Sequence, residues 1–538
     1  MPAAPIGENR SMRITARAEA LIVASCCAAL SLAAIAWSWQ HHAILIYGDA
    51  IAHLHIARRF FDCRFHSIGE LGSVWLPLPH ILMLPFVQVY AWWENGIAGT
   101  IPSALAWLAS CIALYLLARR WLTPAASALA LGFFALNPNL LYLQTTAMTE
   151  PLFLCEMIVT ALLLVEWRTH LDTDPARAER LQKWIALLLI AAVFTRYDGW
   201  IIAFFAWLGI GYALFRRGRL RSVNFWLLSA AVAAAPAAWL IYNATQFGDW
   251  LDFARGPYSA RAIELRTAHP GGPPHPGWHN PWLSFRFFIK TAALDAAART
   301  WGKATLILAA LGTLGAWFTA RRRAFDWTLL LWVPVPFYAY SVAYGSVPIF
   351  IPPWWPHSWY NTRYGIELLP ALALGLGFIA QFVIAATREF KPQWAKFAVA
   401  LLALAIARNT WLVIEQHPLV YVEGTKNIEA RLPFDQNIPP VLRALLAQRQ
   451  GSPVLMNTSV YPELVAFTGI PLRQTINESD QRIYRDALAA PAAHAGIVLA
   501  FDGDEVDQAV KAHPAGLAAI GRYTAKGQPA GTIYLSRY

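Results

Sequence analysis

Charge is what this chain has least of. Of its 538 residues only 14% are Asp, Glu, Lys or Arg, where soluble domains average about 25%. A water-facing surface needs roughly 25–35% charged residues, so one ordinary soluble globule is excluded. Cysteine is scarce too: Cys26, Cys27, Cys63, Cys111 and Cys155. Four of these lie in apolar runs, where Cys behaves as a small hydrophobe; only Cys63 sits in a loop. An odd count without partner spacing gives neither a disulfide framework nor a zinc site. The composition also excludes disorder, collagen and coiled coil. What is abundant is apolar: 57% hydrophobic residues, 25 Trp and a mean hydropathy of +0.40. The fold class this predicts is mainly α, a polytopic helical membrane protein.

The net charge is +11. The basic residues form short clusters between apolar runs and no single patch, which marks topology and not nucleic-acid binding. The apolar runs predict spans over 20–39, 97–118, 125–142, 151–167 (carrying Glu156 and Glu166), 224–242, 304–318, 327–344, 368–386 and 397–414. The run 184–215 is too long for one span at 1.5 Å per residue, so it predicts a helical hairpin with Thr195-Arg196-Tyr197-Asp198 at its tip. That makes about eleven spans. The first is a full-length span and longer than a signal-peptide core, so no cleaved signal is expected.

With residues 1–19 inside, every inside segment is basic: Arg10, Arg13 and Arg17; Arg119 and Arg120; Arg168, Arg177, Arg180 and Lys183; Arg216, Arg217, Arg219 and Arg221; Arg321, Arg322 and Arg323; Arg388, Lys391 and Lys396. This satisfies the positive-inside rule and puts the C-terminus outside. The scheme requires that 74–93 not cross. It holds Pro77, Pro79 and Pro85, which remove helical hydrogen bonds that lipid cannot replace, so it is read as a bent segment at the outer interface. The outside then comprises loops 40–96, 243–301 and 345–364 of a membrane domain 20–414. A polar segment, 415–538, carries β-like runs at 453–456, 496–501 and 532–535. Helical stretches at 440–448 and 504–512 alternate with them, predicting a small α/β domain outside the membrane. It contains no GxGxxG or phosphate loop, and without a motif it reads as a lid or docking module. Of 14 His, only His170 falls inside.

Four clusters can carry chemistry. Asp49 and His53 follow the first span at i and i+4, one helix face; alternatively Asp49 is an N-cap. Glu150, in Thr149-Glu150-Pro151, stands at a membrane boundary, where an ionisable residue is costly unless it reaches water or a polar cavity; alternatively it is a helix-start acid. Arg196 and Asp198 at the hairpin tip are candidates that also pair with each other. Arg363, beside Tyr364 at an outer mouth, needs an anionic partner, and a guanidinium matches phosphate oxygens; an interfacial anchor is the alternative. His41, His42, His269, His275 and His279 lack metal-ligand spacing and read as solvated. Glu156 reads as a hydrogen-bonded neighbour.

These motifs, in their order, resemble the GT-C superfamily of membrane glycosyltransferases, in particular the branch of protein O-mannosyltransferases and lipid A aminoarabinose transferases. The resemblance lies in Ile101-Pro102-Ser103-Ala104 running to Arg119-Arg120, in Asp49, in Thr149-Glu150-Pro151-Leu152, and in Arg363-Tyr364 with Pro370. It implies transfer of a sugar (hexosyl or related) from a polyprenyl-phosphate donor to a lipid, glycan or protein acceptor at the outer face of a bacterial inner membrane. Under it Asp49 is the base and Glu150 binds acceptor or orients the base. Arg363, Tyr364 and Arg196 take the donor phosphate, and His53, Tyr197 and Asp198 support them. The Lys-Pro-Pro-Leu stretch of the aminoarabinose branch is replaced by Leu76-Pro77-Leu78-Pro79, and the oligosaccharyltransferase Trp-Trp-Asp signature is absent. The residues point to no particular cofactor beyond a divalent cation; His53 is placed either to tune Asp49 or to help hold that ion. The competing classes are a transporter or lipid flippase and a non-catalytic glycan-assembly protein. Transporters show internal repeats and midplane charges; here no repeat is visible and the charges cluster at one face.

Overall fold

The computed structural model describes residues 10–267, 274–320, 324–345 and 347–537. The side chains of Arg10, Arg13 and Arg17, the triplet Arg321–Arg323 and His269 lie outside the described residues. The chain opens with α1 (Arg10–Gln40) and α2 (Gly48–Arg59). Next come α3 (Leu78–Val87), α4 (Tyr90–Glu94), α5 (Ile97–Ala118), α6 (Pro124–Ala135) and α7 (Pro138–Leu143). Then follow α8 (Glu150–His170), α9 (Pro175–Thr195), α10 (Asp198–Phe215), α11 (Val223–Phe247) and the short α12 (Asp252–Arg255) and α13 (Ala260–Thr267). The sequence continues through α14 (Pro281–Ala296), α15 (Trp301–Ala320), α16 (Pro334–Tyr344), α17 (Leu369–Phe390), α18 (Pro392–Glu415) and α19 (Leu419–Gln448).

Among the described residues seven helical stretches are long and apolar enough to cross a membrane; they include α5, α10, α11 and α15. Large apolar side chains stand exposed along α11, α15 and α18, among them Trp226, Leu311 and Leu404. Such a surface suits lipid and not water, so the chain is an integral membrane protein. The other four expected spans are charged or broken. Helices α8 and α9 each have 21 residues, enough for about 30 Å of hydrocarbon, but carry Glu156, Glu166 and basic ends. The run 125–142 breaks at Asn137, whose Oδ1 accepts from the Asn139 and Leu140 N–H groups and starts α7. The run 327–344 begins as a 3-10 turn, Phe325–Trp332, before α16; Pro334 and Pro336 cannot donate to a continuous helix.

The non-helical stretch after α7 is buried. Several of its polar groups are met inside the protein, by Ser31 donating to Gln144 (2.9 Å), Thr145 to Ser38 (2.8 Å) and Thr100 to the Thr145 carbonyl (2.7 Å). Irregular backbone survives at membrane depth only when so satisfied. Helices α15 and α17 pack at Gly312 and Gly375. A Cβ on either would fall 2.0–2.2 Å from a carbonyl of the other helix, the close approach that small residues permit.

The parity of the topology is fixed by contacts at both ends. At one end Glu19 pairs with Arg119 (2.9 Å), Glu166 with Arg120 and Arg177, and Asp172 with Arg217 (2.9 Å). These pairs gather the basic clusters together. At the other end Gly96, before α5, lies beside Ile44 and Leu45, just after α1: a Cβ there would fall 2.5 and 2.8 Å from their side chains. The intervening segment therefore returns to the end it left, as α3 and α4, without crossing.

Two expectations are corrected here. The 243–301 stretch is more than a loop: α14 packs on α16 and on the 3-10 segment Thr362–Leu368. His275 is buried near Glu264 (3.6 Å) and not solvated. The polar segment after 415 begins with a 30-residue helix, α19, that runs through Pro433, Pro439 and Pro440. Beyond it lie β1 (Val454–Leu455), α20 (Pro462–Thr468), β2 (Thr475–Ile476), α21 (Arg482–Ala489), α22 (Pro491–His494), β3 (Ile497–Phe501), α23 (Glu505–Ala512), β4 (Leu517–Tyr523) and β5 (Gly531–Ser536). The sheet order is β2-β1-β3-β5-β4, with β2, β1 and β3 parallel and β5 antiparallel to β3 and β4. This C-terminal unit is clamped to the first loop. Asp62 accepts from the Leu472 N–H (3.1 Å), Arg64 donates to the Thr475 carbonyl (2.8 Å), Tyr90 to the Gly469 carbonyl (2.7 Å) and His55 to the Pro462 carbonyl (2.7 Å).

Candidate active site

Four separate stretches of sequence meet at one end of the bundle. Helix α2 starts just past α1 and carries Asp49 in its first turn. Tyr47 holds the cap position, so Asp49 is not the N-cap; a carboxylate there interacts with the helix dipole instead. Helix α8 begins at Glu150, with Pro151 at the position where a missing N–H is harmless. The α9–α10 hairpin turns at Arg196 in extended backbone, and Asp198 opens α10. The Thr362–Leu368 segment supplies Arg363. It is pressed against α14 at Gly365, where a Cβ would lie 2.4 Å from Asp295 Oδ2 and 2.6 Å from the Ala292 nitrogen.

Arg363 is the hub. Its Nε lies 3.1 Å from Glu150 Oε1, its Nη1 2.9 Å from Glu423 Oε1 and its Nη2 2.7 Å from Asp49 Oδ2. Arg196 is the second cation. It pairs with the same Glu150 oxygen (3.1 Å), with Asp198 (3.2 Å) and with Glu367 (3.0 Å), and donates to Tyr338 (2.9 Å). The Tyr364 ring centroid is 5.2 Å from both guanidinium carbons, within cation–π range. Tyr338 stacks on Tyr364 at 4.9 Å and donates to Glu367 at 2.7 Å. Buried charges persist only when paired and hydrogen-bonded, and here five carboxylates share two guanidinium groups.

The members differ in access. Glu150, Glu367, Glu423 and Arg363 are buried, whereas the Asp49 side chain is 43% exposed. Asp49 is therefore the carboxylate that meets the solvent side. Glu150 Oε2 is buried with no protein hydrogen bond, an acceptor awaiting a donor.

Of the residues singled out in the sequence, Asp49, Glu150, Arg196, Asp198, Arg363 and Tyr364 are brought together. Tyr197 is not: its hydroxyl donates to the Val74 carbonyl (2.8 Å) and its ring stacks on Phe253 (4.9 Å). Glu156 accepts from Thr195 at 2.7 Å. His53 is buried against Trp75, with Nδ1 2.8 Å from His80 Nε2. Burial, then the positive charges of Arg363 and Arg196, push His53 down to about 3, so the ring is neutral. Among the described residues no three His, Cys, Asp or Glu side chains are grouped to hold an ion.

Sequence reasoning missed Glu423, Glu367 and Tyr338. Glu367 had a signal, being an ionisable residue four positions after Arg363 at the mouth of an apolar run. Glu423 had none, because it lies one turn into α19, in a polar stretch without a motif. It accepts from the Asn361 and Thr362 N–H groups (3.0 and 2.7 Å) and from the Thr362 hydroxyl (2.5 Å). The helix leading to the C-terminal unit thus contributes directly to the site, beyond a lid or docking role.

The first loop also carries an acid-sensitive device. Burial holds His53 near 3 and His55 near 4, and His80 well below its ordinary value. An unfolded His titrates near 6.5. With the folded values depressed, the unfolded chain binds more protons below about pH 6.5, and stability falls as pH drops toward 4 and 3. Each group adds a slope of up to about 1.4 kcal/mol per pH unit in that window. Burial raises the carboxyls of Glu70 and Asp435 to about 7, which acts in the opposite sense, so the His contribution is read as a difference: between pH 6.5 and 4 the melting temperature of His55→Gln should fall less, or rise more, than that of wild type. Equal pH dependence of the two would contradict this.

No known protein family matches the chain, and no curated protein sequence matches it. Solved structures do. ArnT from Cupriavidus metallidurans bound to undecaprenyl phosphate superposes with a TM-score of 0.56, over 94% of this chain and 97% of that one, at 12% identity. The chain shares the fold of ArnT. The apo state of the same protein gives a TM-score of 0.56 over 95% and 98%, at 13% identity. A looser likeness is to the Archaeoglobus fulgidus oligosaccharyltransferase complexed with Zn and sulfate, at a TM-score of 0.42 and 11% identity over 90% and 69%.

Proposed function

We infer that the protein is an integral-membrane glycosyltransferase. It moves a sugar from a polyprenyl-phosphate donor to a lipid, glycan or protein acceptor on the outer face of a bacterial inner membrane. The observation that carries this reading is the pairing of one half-exposed carboxylate, Asp49, with a buried arginine, Arg363, at the outer end of a GT-C fold. The neighbouring fold was solved with undecaprenyl phosphate bound, and a guanidinium matches a phosphate group by charge and geometry.

The chemistry needs two things. A carboxylate takes the proton of the acceptor hydroxyl as its oxygen bonds to the anomeric carbon. A cation steadies the phosphate that leaves with the electron pair of the broken C–O bond. Asp49 supplies the first and Arg363, backed by Arg196 and Tyr364, the second. Phosphate is already a good leaving group, so a general acid is not required. Glu150 fixes both arginines through one oxygen and offers the other to the acceptor. Residues 415–538 close the site from the outside through α19 and its contacts with the first loop.

Reporter fusions test the sidedness. A fusion at Ala118 should read cytoplasmic and one at Gly451 exterior; a cytoplasmic signal at Gly451 would overturn the scheme. Donor class is tested with purified protein and a membrane-extract acceptor. A polyprenyl-monophosphate sugar should be consumed with release of polyprenyl phosphate, and nucleotide sugars should not.

A further inference from the structure

The three carboxylates on Arg363 are not equivalent. Glu150 and Glu423 are buried, and each is held by donors other than Arg363: Arg196 for Glu150, and the Asn361 and Thr362 N–H groups and the Thr362 hydroxyl for Glu423. Asp49 is 43% exposed, and among the described residues Arg363 Nη2 is its one side-chain partner, at 2.7 Å. So Nε and Nη1 of Arg363 are committed to fixed groups, and Nη2 is bound by the one group able to leave. Only 8% of the Arg363 side chain is exposed, which leaves an incoming anion little room beside Asp49. The carboxylate and the phosphate therefore compete for one nitrogen.

We propose that the donor phosphate replaces Asp49 on Nη2 of Arg363, so that Asp49 is released to act as base only when the donor is in place. This rests on the glycosyltransferase reading. Without donor, Asp49 Oδ2 is occupied by Arg363 Nη2 at 2.7 Å. With donor bound, the phosphate takes Nη2, and the freed carboxylate is left on the solvent side to accept the proton of the acceptor hydroxyl. Glu150 and Glu423 keep the guanidinium from following the phosphate, so the exchange moves one short side chain and leaves the cation in place.

The test is equilibrium binding of undecaprenyl phosphate to the full-length protein in nanodiscs. Removing a competitor tightens binding, and a charge-assisted hydrogen bond is worth roughly tenfold or more. Asp49→Asn should therefore bind about tenfold tighter than wild type, and Asp49→Ser should do the same. Glu150→Gln and Glu423→Gln should bind more weakly, because Arg363 loses its supports. Equal or weaker binding by both Asp49 variants overturns the exchange. So does equal tightening by all the carboxylate variants, which marks a general charge effect. If wild type itself does not bind undecaprenyl phosphate, the glycosyltransferase reading falls and the exchange with it.

Discussion

Asp49→Asn is expected to lose about 10²–10⁴-fold in transfer rate, the usual cost of removing a general base, while melting close to the wild-type temperature. The substitution keeps the size and hydrogen-bonding reach of the side chain and removes its charge. Stability should change little for two reasons. Asp49 does not cap α2, so the roughly 1 kcal/mol that a lost cap costs is not at stake. It is also half-exposed, and such ion pairs contribute at most about 1 kcal/mol. Rate and melting temperature measured on the same purified variant separate the roles. Near-normal turnover would remove Asp49 from the mechanism and leave Glu150 as the next base. A low melting temperature with normal specific activity would make Asp49 structural.

Arg363→Ala should be damaged in both folding and donor use. Sequence alone suggested a residue that binds phosphate or anchors the helix at the interface. The structure shows it as the shared partner of Asp49, Glu150 and Glu423. Removing one partner of a buried ion pair typically costs about 3–5 kcal/mol, and here two buried carboxylates would lose theirs. The informative variant is Arg363→Lys. An ammonium keeps the charge but cannot present three nitrogens in one plane, so the melting temperature should recover in part while donor affinity stays at least tenfold down. Wild-type donor affinity in Arg363→Lys would place the phosphate elsewhere.

The helical membrane architecture was legible because lipid leaves few options. Uncharged runs of about 20 residues must be helices, and the clusters of Lys and Arg orient them. The Thr195–Asp198 hairpin tip and the non-crossing 74–93 segment followed from length and proline content. The broken stretches 125–142 and 327–344 were harder, since Asn137 and Pro334 interrupt helices whose hydrophobic pattern continues through them. In the C-terminal unit β2 is only two residues long and β4 is a partly exposed edge strand, so neither shows the alternating pattern of a half-buried strand.

The candidate site divides along the same line. Asp49, Glu150, Arg196 and Arg363 stood out because charge is rare in such a chain and each sat at the end of an apolar run. Tyr197 was grouped with them by adjacency, yet at the hairpin tip consecutive side chains point apart: Arg196 faces the carboxylates and Tyr197 faces Val74. Glu423 is invisible without the fold, since only the path of α19 brings it to a residue 60 positions earlier.

Transfer of a labelled sugar tests the central claim most directly. The full-length protein is reconstituted with a polyprenyl-phosphate sugar labelled in the sugar and with membrane extract as acceptor. The account predicts that label leaves the donor lipid for the acceptor with wild type, and that with Asp49→Asn it stays on the lipid although the donor is still bound. Label that remains on the donor with wild type, or that moves equally well with Asp49→Asn, would contradict it.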